Sequence, residues 1–239
     1  MIRVFPDLES LSQAAATEFV ERAARAITAR GRFTVSLDGG NTPRRTYELL
    51  AGQYADKVDW GKVHVFWGDE RNVPPDDPSS NEGMARQALL DHVSVPASQI
   101  FPMYLNGDAA DAADAYEAIL KRYFGSAGLT FDWAMQGMGP DGHTASLFPG
   151  AVDLKTEAWV TPVQSSMGVR ERISLTPAVL CRSAAIQFMV CGKDKAQKVH
   201  EILEENADYP AGYVSRNARE ANWLLDEAAA EMLSESAKH

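Results

Sequence analysis

An acid and a histidine stand two residues apart in the stretch 137–150, which reads GMGPDGHTASLFPG. The imidazole of His143 can gain or lose a proton near neutral pH, and Asp141 can orient it or bind a substrate hydroxyl. The stretch follows an apolar run at 131–135 that predicts a buried strand. In α/β proteins, reactive groups are exposed at the carboxyl edge of the sheet, where a strand ends in a glycine turn followed by polar side chains. We therefore expect an acid/base site here.

The same stretch also matches a dinucleotide-binding pattern, because Gly137, Gly139 and Gly142 spell G-x-G-x-x-G. That fingerprint requires the glycines to open a helix, whereas here the residues DGH at 141–143 stand where the helix should begin. The other histidines have no metal-ligand spacing with His143, and no G-x-S-x-G stretch indicates a serine hydrolase. An acid/base site without cofactor or metal is the favoured interpretation.

The loop after the predicted strand 33–37 offers groups that bind anions. Gly39 and Gly40 allow a ligand to approach the backbone closely, and the following helix N-terminus presents unpaired N–H groups. Asn41 and Thr42 add side-chain donors, and Thr42 is expected to cap that helix. A tight turn with a helix cap would have the same sequence, so the loop alone leaves both interpretations open.

Cations stand beside three other predicted strands. Arg71 lies close to Asp69 in the loop 67–74, Arg172 begins a strand, and Lys195 lies in the turn 192–196 before a helix. Each charge alone is typical of a solvated surface. Because a guanidinium presents two donors that match two phosphate oxygens, the set together predicts an anion site at the rim of the sheet.

Predicted strands and helices alternate along the chain. Strands are expected at 33–37, 63–67, 131–135, 158–163, 172–175 and 185–191. Helices are expected at 12–30, 43–50, 81–91, 109–124, 193–204 and 222–232, with Asn81 as a cap. This alternation predicts one α/β domain over residues 1–239, with a mostly parallel sheet covered by helices on both faces.

The composition of the chain indicates which classes of binding partner and which cellular compartment to expect. The net charge of −10 disfavours a nucleic-acid or membrane-surface protein, but it allows an anionic small substrate because a few local cations suffice. Cys181 and Cys191 lack C-x-x-C spacing, so free thiols in a reducing compartment are expected. No signal-peptide pattern opens the chain, and no run reaches the ~18 apolar residues of a membrane span. We expect a soluble cytoplasmic protein.

Five segments resemble those of the family of glucosamine-6-phosphate isomerases and 6-phosphogluconolactonases, in the same order and over most of the chain. They are DGGNTP at 38–43, WGDER at 67–71, GMGPDGHTASLFP at 137–149, RISLT at 172–176 and GKDKA at 192–196. The third is the most specific. The resemblance implies a three-layer α/β/α fold with a Rossmann-like sheet and no metal or organic cofactor. It also implies hydrolysis of 6-phospho-D-glucono-1,5-lactone in the oxidative pentose phosphate pathway. We expect a monomer or a homodimer.

The resemblance also implies roles for the residues singled out above. His143 would be the general base that activates water against the lactone carbonyl, and Asp141 would orient His143 or a substrate hydroxyl. The residues expected to bind the substrate and its phosphate are Gly39, Gly40, Asn41, Thr42, Asp69, Arg71, Arg172 and Lys195, with Asp69 positioning the substrate and the cations facing the phosphate or the developing oxyanion.

Two positions separate the lactonases from the deaminases of this family. The deaminases place a glutamate where this chain has Phe148, and an aromatic or aliphatic residue where it has Arg71. Ring-opening deamination needs the extra carboxylate, so the lactonase is favoured. An amino-sugar-phosphate deaminase and a non-catalytic sugar-phosphate sensor are the alternatives.

The first glycine loop departs from the family's usual SGGSTP at Asp38 and Asn41. Asn41 can still donate a hydrogen bond. Asp38 is expected to add negative charge beside a phosphate loop, unless its side chain points away.

Overall fold

The computed structural model describes residues 1–125 and 128–237. The strands are, in chain order, Ile2–Phe5 (β1), Phe33–Leu37 (β2), Val63–Trp67 (β3), Asp69–Arg71 (β4), Trp133–Gln136 (β5), Val160–Gln164 (β6), Glu171–Leu175 (β7), Ile186–Val190 (β8) and Ala221–Asp226 (β9). The α-helices are Leu8–Arg30 (α1), Asn41–Ala51 (α2), Asn81–Ala85 (α3), Ala109–Phe124 (α4), Pro177–Leu180 (α5), Ala196–Leu203 (α6) and Pro210–Asn217 (α7). Within these described ranges, no helix is both long and apolar enough to cross a membrane.

Six strands form a parallel sheet in the order β1-β9-β8-β5-β2-β3. From β2 the chain moves outward to β3, whereas from β5 it moves outward in the opposite direction, through β8 to β9. The direction of winding therefore reverses between β2 and β5, which is where α/β sheets open a crevice at their carboxyl edge. A second, antiparallel sheet has the order β4-β7-β6.

Aromatic side chains show that helices cover both faces of the parallel sheet. Phe33 lies opposite Val63 in the register of β2 and β3, so Phe33 and Phe66 point to opposite faces. On one face Phe19 of α1 meets Phe33 with ring centroids 5.2 Å apart. On the other face Phe124 of α4 meets Phe66 at 5.5 Å. The expected layered α/β/α fold with a mostly parallel sheet is confirmed.

The predicted C-terminal helix at 222–232 is wrong. Residues Ala221–Asp226 form β9, which lies between β1 and β8, and Trp223, Leu224 and Leu225 are buried in the core. A strand buried on both faces has a continuous apolar run, and a short run of this kind cannot be distinguished from a buried helix by periodicity.

The two predicted helix caps are also shifted. Helix α2 begins at Asn41 with Gly40 in the cap position at a φ of 94°, so Thr42 lies inside the first turn and does not cap it. Helix α3 is capped by Ser80, whose side chain accepts a hydrogen bond from Gly83 N, while Asn81 is its first residue.

Several elements beside the site were not expected. The predicted loop 67–74 contains β4, and the predicted strands at 158–163 and 172–175 pair in the antiparallel sheet instead of joining the parallel one. Strand β1 and helix α7 had no counterpart among the predicted elements.

Candidate active site

A cavity of about 540 Å³ opens at the carboxyl edge of the parallel sheet. Its walls are the segments that follow β2, β3, β5 and β8, as expected from strands that run parallel. The expected site residues that line it are Gly39, Gly40, Asn41, Thr42, Asp69, Arg71, His143, Arg172 and Lys195. Asp141 does not line the cavity and lies behind His143, so it reaches the site only through the imidazole.

His143 and Asp141 form a close pair in the turn after β5. The Nδ1 atom of His143 lies 2.5 Å from Oδ1 of Asp141, and the same oxygen accepts a hydrogen bond from His143 N at 3.2 Å. This pairing occupies Nδ1 and leaves Nε2 as the ring nitrogen that can exchange a proton with a ligand. Most of the imidazole is shielded, since its side chain is only 18 % exposed. The pair therefore has the arrangement of an oriented general base.

Glycines make the histidine turn possible. A Cβ on Gly139 would lie 2.1 Å from Cε1 of His143, so any other residue there would collide with the ring. Gly142 has a φ of 84°, in the left-handed region that favours glycine, and its missing side chain makes room for the ring of Tyr209, the residue before α7. The N–H of Ala211 also donates to Gly142 O at 3.0 Å. The start of α7 thus fixes the turn from outside the cavity.

Phe148 links the histidine to one of the cations. Its ring centroid lies 4.6 Å from that of His143, and the Arg172 guanidinium lies 5.5 Å from the Phe148 centroid. Arg172 is held by the hairpin between β6 and β7, donating from Nε to Val169 O and from Nη2 to Met167 O. Burial lowers the pKa of Arg172, although that of a guanidinium stays far above neutrality.

Arg71 brings a second guanidinium to the cavity from β4. Its Nη1 donates to Ser79 O at 2.6 Å, while its Nε is buried and has no hydrogen-bond partner among residues 1–125 and 128–237. A buried donor without a partner costs free energy, and an anionic ligand in the cavity would supply the missing acceptor.

Lys195 reaches the cavity from the opposite side, at the end of β8. It pairs with the neighbouring Asp194, and its side chain is 17 % exposed. The turn before it is held by Asp226 at the end of β9, whose two carboxylate oxygens both accept from Gly192 N at 3.0 Å.

The first glycine loop lies where α2 begins. Asn81 of α3 packs so tightly against Gly39 that a Cβ there would lie 1.9 Å from Asn81 Oδ1. Asn41 and Thr42 form the start of α2, where helical N–H groups have no intrahelical acceptor. The loop thus presents backbone donors toward the cavity.

Two acids of β4 have different environments. Asp69 is buried and accepts from Ser146 Oγ at 2.5 Å and from Asn81 Nδ2 at 2.9 Å. Glu70 points toward α3, where it accepts from the backbone N–H groups of Asn81 and Glu82 at 2.7 Å each. Burial raises the pKa of Glu70 to about 7 in spite of these donors. Only Asp69 faces the cavity.

Several lining residues were not among the expected site residues: Asp38, Asn81, Met138, Ala145, Cys191 and Asp226. The sequence predicts a helix in place of β9 and only a capping role for Asn81, so neither Asp226 nor Asn81 is among the expected site residues. Asp38 departs from the family pattern, and it lines the cavity.

The described residues 1–125 and 128–237 contain no group of three or more His, Cys, Asp and Glu side chains placed to hold a metal ion. Cys181 and Cys191 are free thiols, and burial raises the pKa of Cys191 to about 12.

The fold and the cavity define an α/β protein with a paired histidine and aspartate beside cationic side chains at the carboxyl edge of its sheet. Comparison with known proteins identifies the family more closely. The chain belongs to the family described as glucosamine-6-phosphate isomerases/6-phosphogluconolactonase, whose model matches residues 6–223.

Individual relatives support this assignment. The 6-phosphogluconolactonase of Nostoc sp. is 38 % identical over 240 residues, covering 98 % of each chain. The 6-phosphogluconolactonase of Mycobacterium tuberculosis is 38 % identical over 244 residues, covering 97 % of this chain and 98 % of that one. The solved 6-phosphogluconolactonase of Trypanosoma brucei superposes with a TM-score of 0.85 at 29 % identity, covering 98 % of both chains.

Proposed function

We propose that this protein hydrolyses 6-phospho-D-glucono-1,5-lactone to 6-phosphogluconate, as an enzyme of the oxidative pentose phosphate pathway. The observation that carries the proposal is the oriented His143–Asp141 pair at a cavity that also holds Arg71, Arg172 and Lys195. A phosphate-bearing lactone requires both a base for water and cations for its charge. Relatives over nearly the full length are named as lactonases of this specificity.

His143 carries the proton in the proposed reaction. Its Nε2 takes a proton from a water molecule as the water oxygen bonds to the lactone carbonyl carbon. The tetrahedral oxyanion then collapses, the bond from that carbon to the ring oxygen breaks, and His143 returns the proton to the departing oxygen. Asp141 keeps Nδ1 occupied, which orients Nε2 toward the substrate and stabilises the imidazolium between the two transfers.

The cations and the glycine loop bind the negative charge. Arg71 has a buried Nε with no acceptor in the described part of the chain, and the start of α2 at Asn41 and Thr42 presents backbone and side-chain donors. These groups and Lys195 suit the phosphate, because charge-assisted hydrogen bonds to phosphate are strong. Arg172 shares the Phe148 ring with His143, which puts it on the side of the cavity where the oxyanion would form.

Phe148 favours the lactonase over the deaminase. A deaminase of this family needs a carboxylate at this position, whereas here a buried aromatic ring packs 4.6 Å from the imidazole. A cytoplasmic location and a monomeric or homodimeric state stay predictions from the sequence.

The test is a turnover assay of the purified protein on 6-phospho-D-glucono-1,5-lactone, corrected for spontaneous hydrolysis. His143→Asn is expected to lower kcat by about 10²–10⁴-fold, the usual contribution of a general base. The matched control is His92→Asn, which changes an exposed histidine outside the cavity. A His143→Asn enzyme with near-normal kcat would overturn the role of His143.

A parallel assay for ammonia release from glucosamine 6-phosphate separates the proposed function from the deaminase. Release of ammonia without lactone turnover would replace the lactonase. Saturable stabilisation by 6-phosphogluconate without any turnover would instead indicate a sensor.

A further inference from the structure

Asp38 occupies the centre of the crevice in the parallel sheet. It follows the last residue of β2, and the facing residue Gly137 follows the last residue of β5, so both lie where the winding of the sheet reverses. A Cβ on Gly137 would lie 3.0 Å from Oδ2 of Asp38, which shows how closely the carboxyl group packs against this backbone. Asp38 is 6 % exposed and lines the cavity. Its carboxyl group therefore forms part of the cavity floor.

Two hydrogen bonds to Tyr47 fix the backbone of Asp38. The hydroxyl of Tyr47 accepts from Asp38 N at 2.9 Å and donates to Asp38 O at 2.8 Å. Tyr47 is a buried residue of α2, so the helix of the glycine loop anchors the residue before that loop. These two contacts fix the backbone from which the Asp38 carboxyl group projects.

The surroundings of Asp38 disfavour a negative charge. Burial raises the pKa of Asp38 to about 8, and the carboxylate of Asp69 adds to this rise. The N–H groups of Gly39 and Gly137 and the charge of Arg71 act in the other direction but do not outweigh burial. Near neutral pH the group is then predominantly a carboxylic acid, which can donate a hydrogen bond as well as accept one.

We propose that Asp38 is a specificity-determining residue of this site: an uncharged carboxylic acid in the cavity floor that donates a hydrogen bond to the bound sugar phosphate. A carboxylate at the same place would put a second negative charge, beside Asp69, against an anionic ligand. The negative charge that the sequence led us to expect beside the phosphate loop is thus absent in the ligand-binding form. The inference rests on the proposed function, because it takes a sugar phosphate as the ligand.

The proposal predicts that ligand binding weakens as the pH rises through the ionisation of Asp38. Other groups that titrate or carry charge at this cavity are Asp69, Arg71, His143, Arg172, Lys195 and Asp226. Tyr47 lies behind Asp38, and burial holds the pKa of its hydroxyl well above the usual range. Because all these groups and the ligand phosphate are common to the wild type and to variants at position 38, a ratio of dissociation constants isolates the effect of Asp38.

The test measures the Kd of 6-phosphogluconate by calorimetry between pH 6 and pH 9 for the wild type, Asp38→Asn and Asp38→Ser. Asparagine keeps the size and a donor but cannot ionise. The ratio of the wild-type Kd to the Asp38→Asn Kd is expected to stay within about 3-fold of one at pH 6 and to rise about 10-fold by pH 9, following the linkage of binding to one proton. A ratio that does not change with pH overturns the proposal.

The serine variant tests the contact itself. Its side chain is too short to reach a ligand held by the carboxyl group, so its Kd at pH 6 is expected to be about 5–30-fold weaker than that of Asp38→Asn, the usual effect of one lost hydrogen bond. Equal affinities of the two variants at pH 6 overturn the contact. If Asp38→Asn does not fold, Asp38→Ser supplies the curve without an ionisable group.

Lactone turnover by the same wild-type preparation at pH 6.5 distinguishes a failure of the role proposed for Asp38 from a failure of the proposed function. Failure of the ratio to change with pH, with turnover intact, removes only the role of Asp38. Failure of the wild type both to bind 6-phosphogluconate and to hydrolyse the lactone removes the proposed function.

Discussion

Phe148 lies between the candidate base, His143, and one of the cations of the cavity, Arg172. Its ring packs 4.6 Å from the imidazole of His143, and the Arg172 guanidinium lies 5.5 Å from its centroid. An aromatic ring attracts a cation through its face while leaving the full positive charge available to a ligand. A carboxylate at this position would instead pair with the guanidinium. The residue type at position 148 therefore decides whether Arg172 can serve an oxyanion.

Substitution of Phe148 distinguishes the effect of charge from that of packing. Phe148→Glu is expected to lower kcat/KM for the lactone by at least about 10²-fold, because a carboxylate near Arg172 withdraws that cation from the developing oxyanion. Phe148→Leu keeps an apolar side chain and is expected to cost less than about 10-fold, the loss of an aromatic contact of ~1 kcal/mol. Steady-state kinetics at 25 °C checks both. Equal losses in the two variants would show that Phe148 acts through packing alone.

Helix α7 supports the turn that carries His143, although the two are far apart in the sequence. Tyr209, just before that helix, packs against Gly142, and Ala211 N donates to Gly142 O at 3.0 Å. The turn also needs the left-handed φ of Gly142. Two different constraints therefore act on one glycine, a backbone angle and a contact.

Gly150 provides the control that separates these two constraints. It has a φ of 74° and nothing within 4 Å of a Cβ, whereas a Cβ on Gly142 would lie 2.7 Å from Cγ of Tyr209. Gly150→Ala is expected to cost about 1–3 kcal/mol in the free energy of unfolding, the usual strain of this conformation, with kcat almost unchanged. Gly142→Ala is expected to cost more and to lower kcat by at least about 10-fold, because the turn that carries His143 must shift. Denaturant unfolding and lactone kinetics measure both quantities, and equal effects of the two substitutions would refute the role of Tyr209.

Local sequence patterns predicted the strands and loops that form the site. The strands before Asp38, Gly68 and Gly137 were recognisable as short apolar runs ending in glycine loops, and parallel strands bring such ends together. The contact of Tyr209 with Gly142 was not predictable, since it joins positions far apart in the chain and α7 was not among the predicted elements. Asp226 was missed because a strand buried on both faces resembles a buried helix in sequence. Local patterns thus identified the loops of the site, whereas the contacts that hold those loops, made by Tyr209 and Asp226, became visible only in the tertiary structure.

At the scale of the whole molecule, two buried acids link stability to pH. Burial raises the pKa of Asp38 to about 8 and that of Glu70 to about 7, well above the values of unfolded acids. The folded state then binds more protons than the unfolded state between about pH 4 and pH 8. The contribution of each group is fully present below the unfolded pKa and is lost as the pH rises through the folded pKa.

Asp38→Asn tests this linkage, because asparagine has no proton to lose. The wild type is expected to lose unfolding free energy relative to Asp38→Asn as the pH rises from 5 to 9, by up to about 1.4 kcal/mol per pH unit between the two pKa values. Urea unfolding at several pH values gives the difference, and Asp56→Asn, which changes an exposed carboxylate, is the control. A difference that is constant over this range would mean that Asp38 is ionised throughout in the folded protein. The same result would remove the physical basis for an uncharged acid in the cavity floor, so stability and ligand binding test one property of Asp38 by independent measurements.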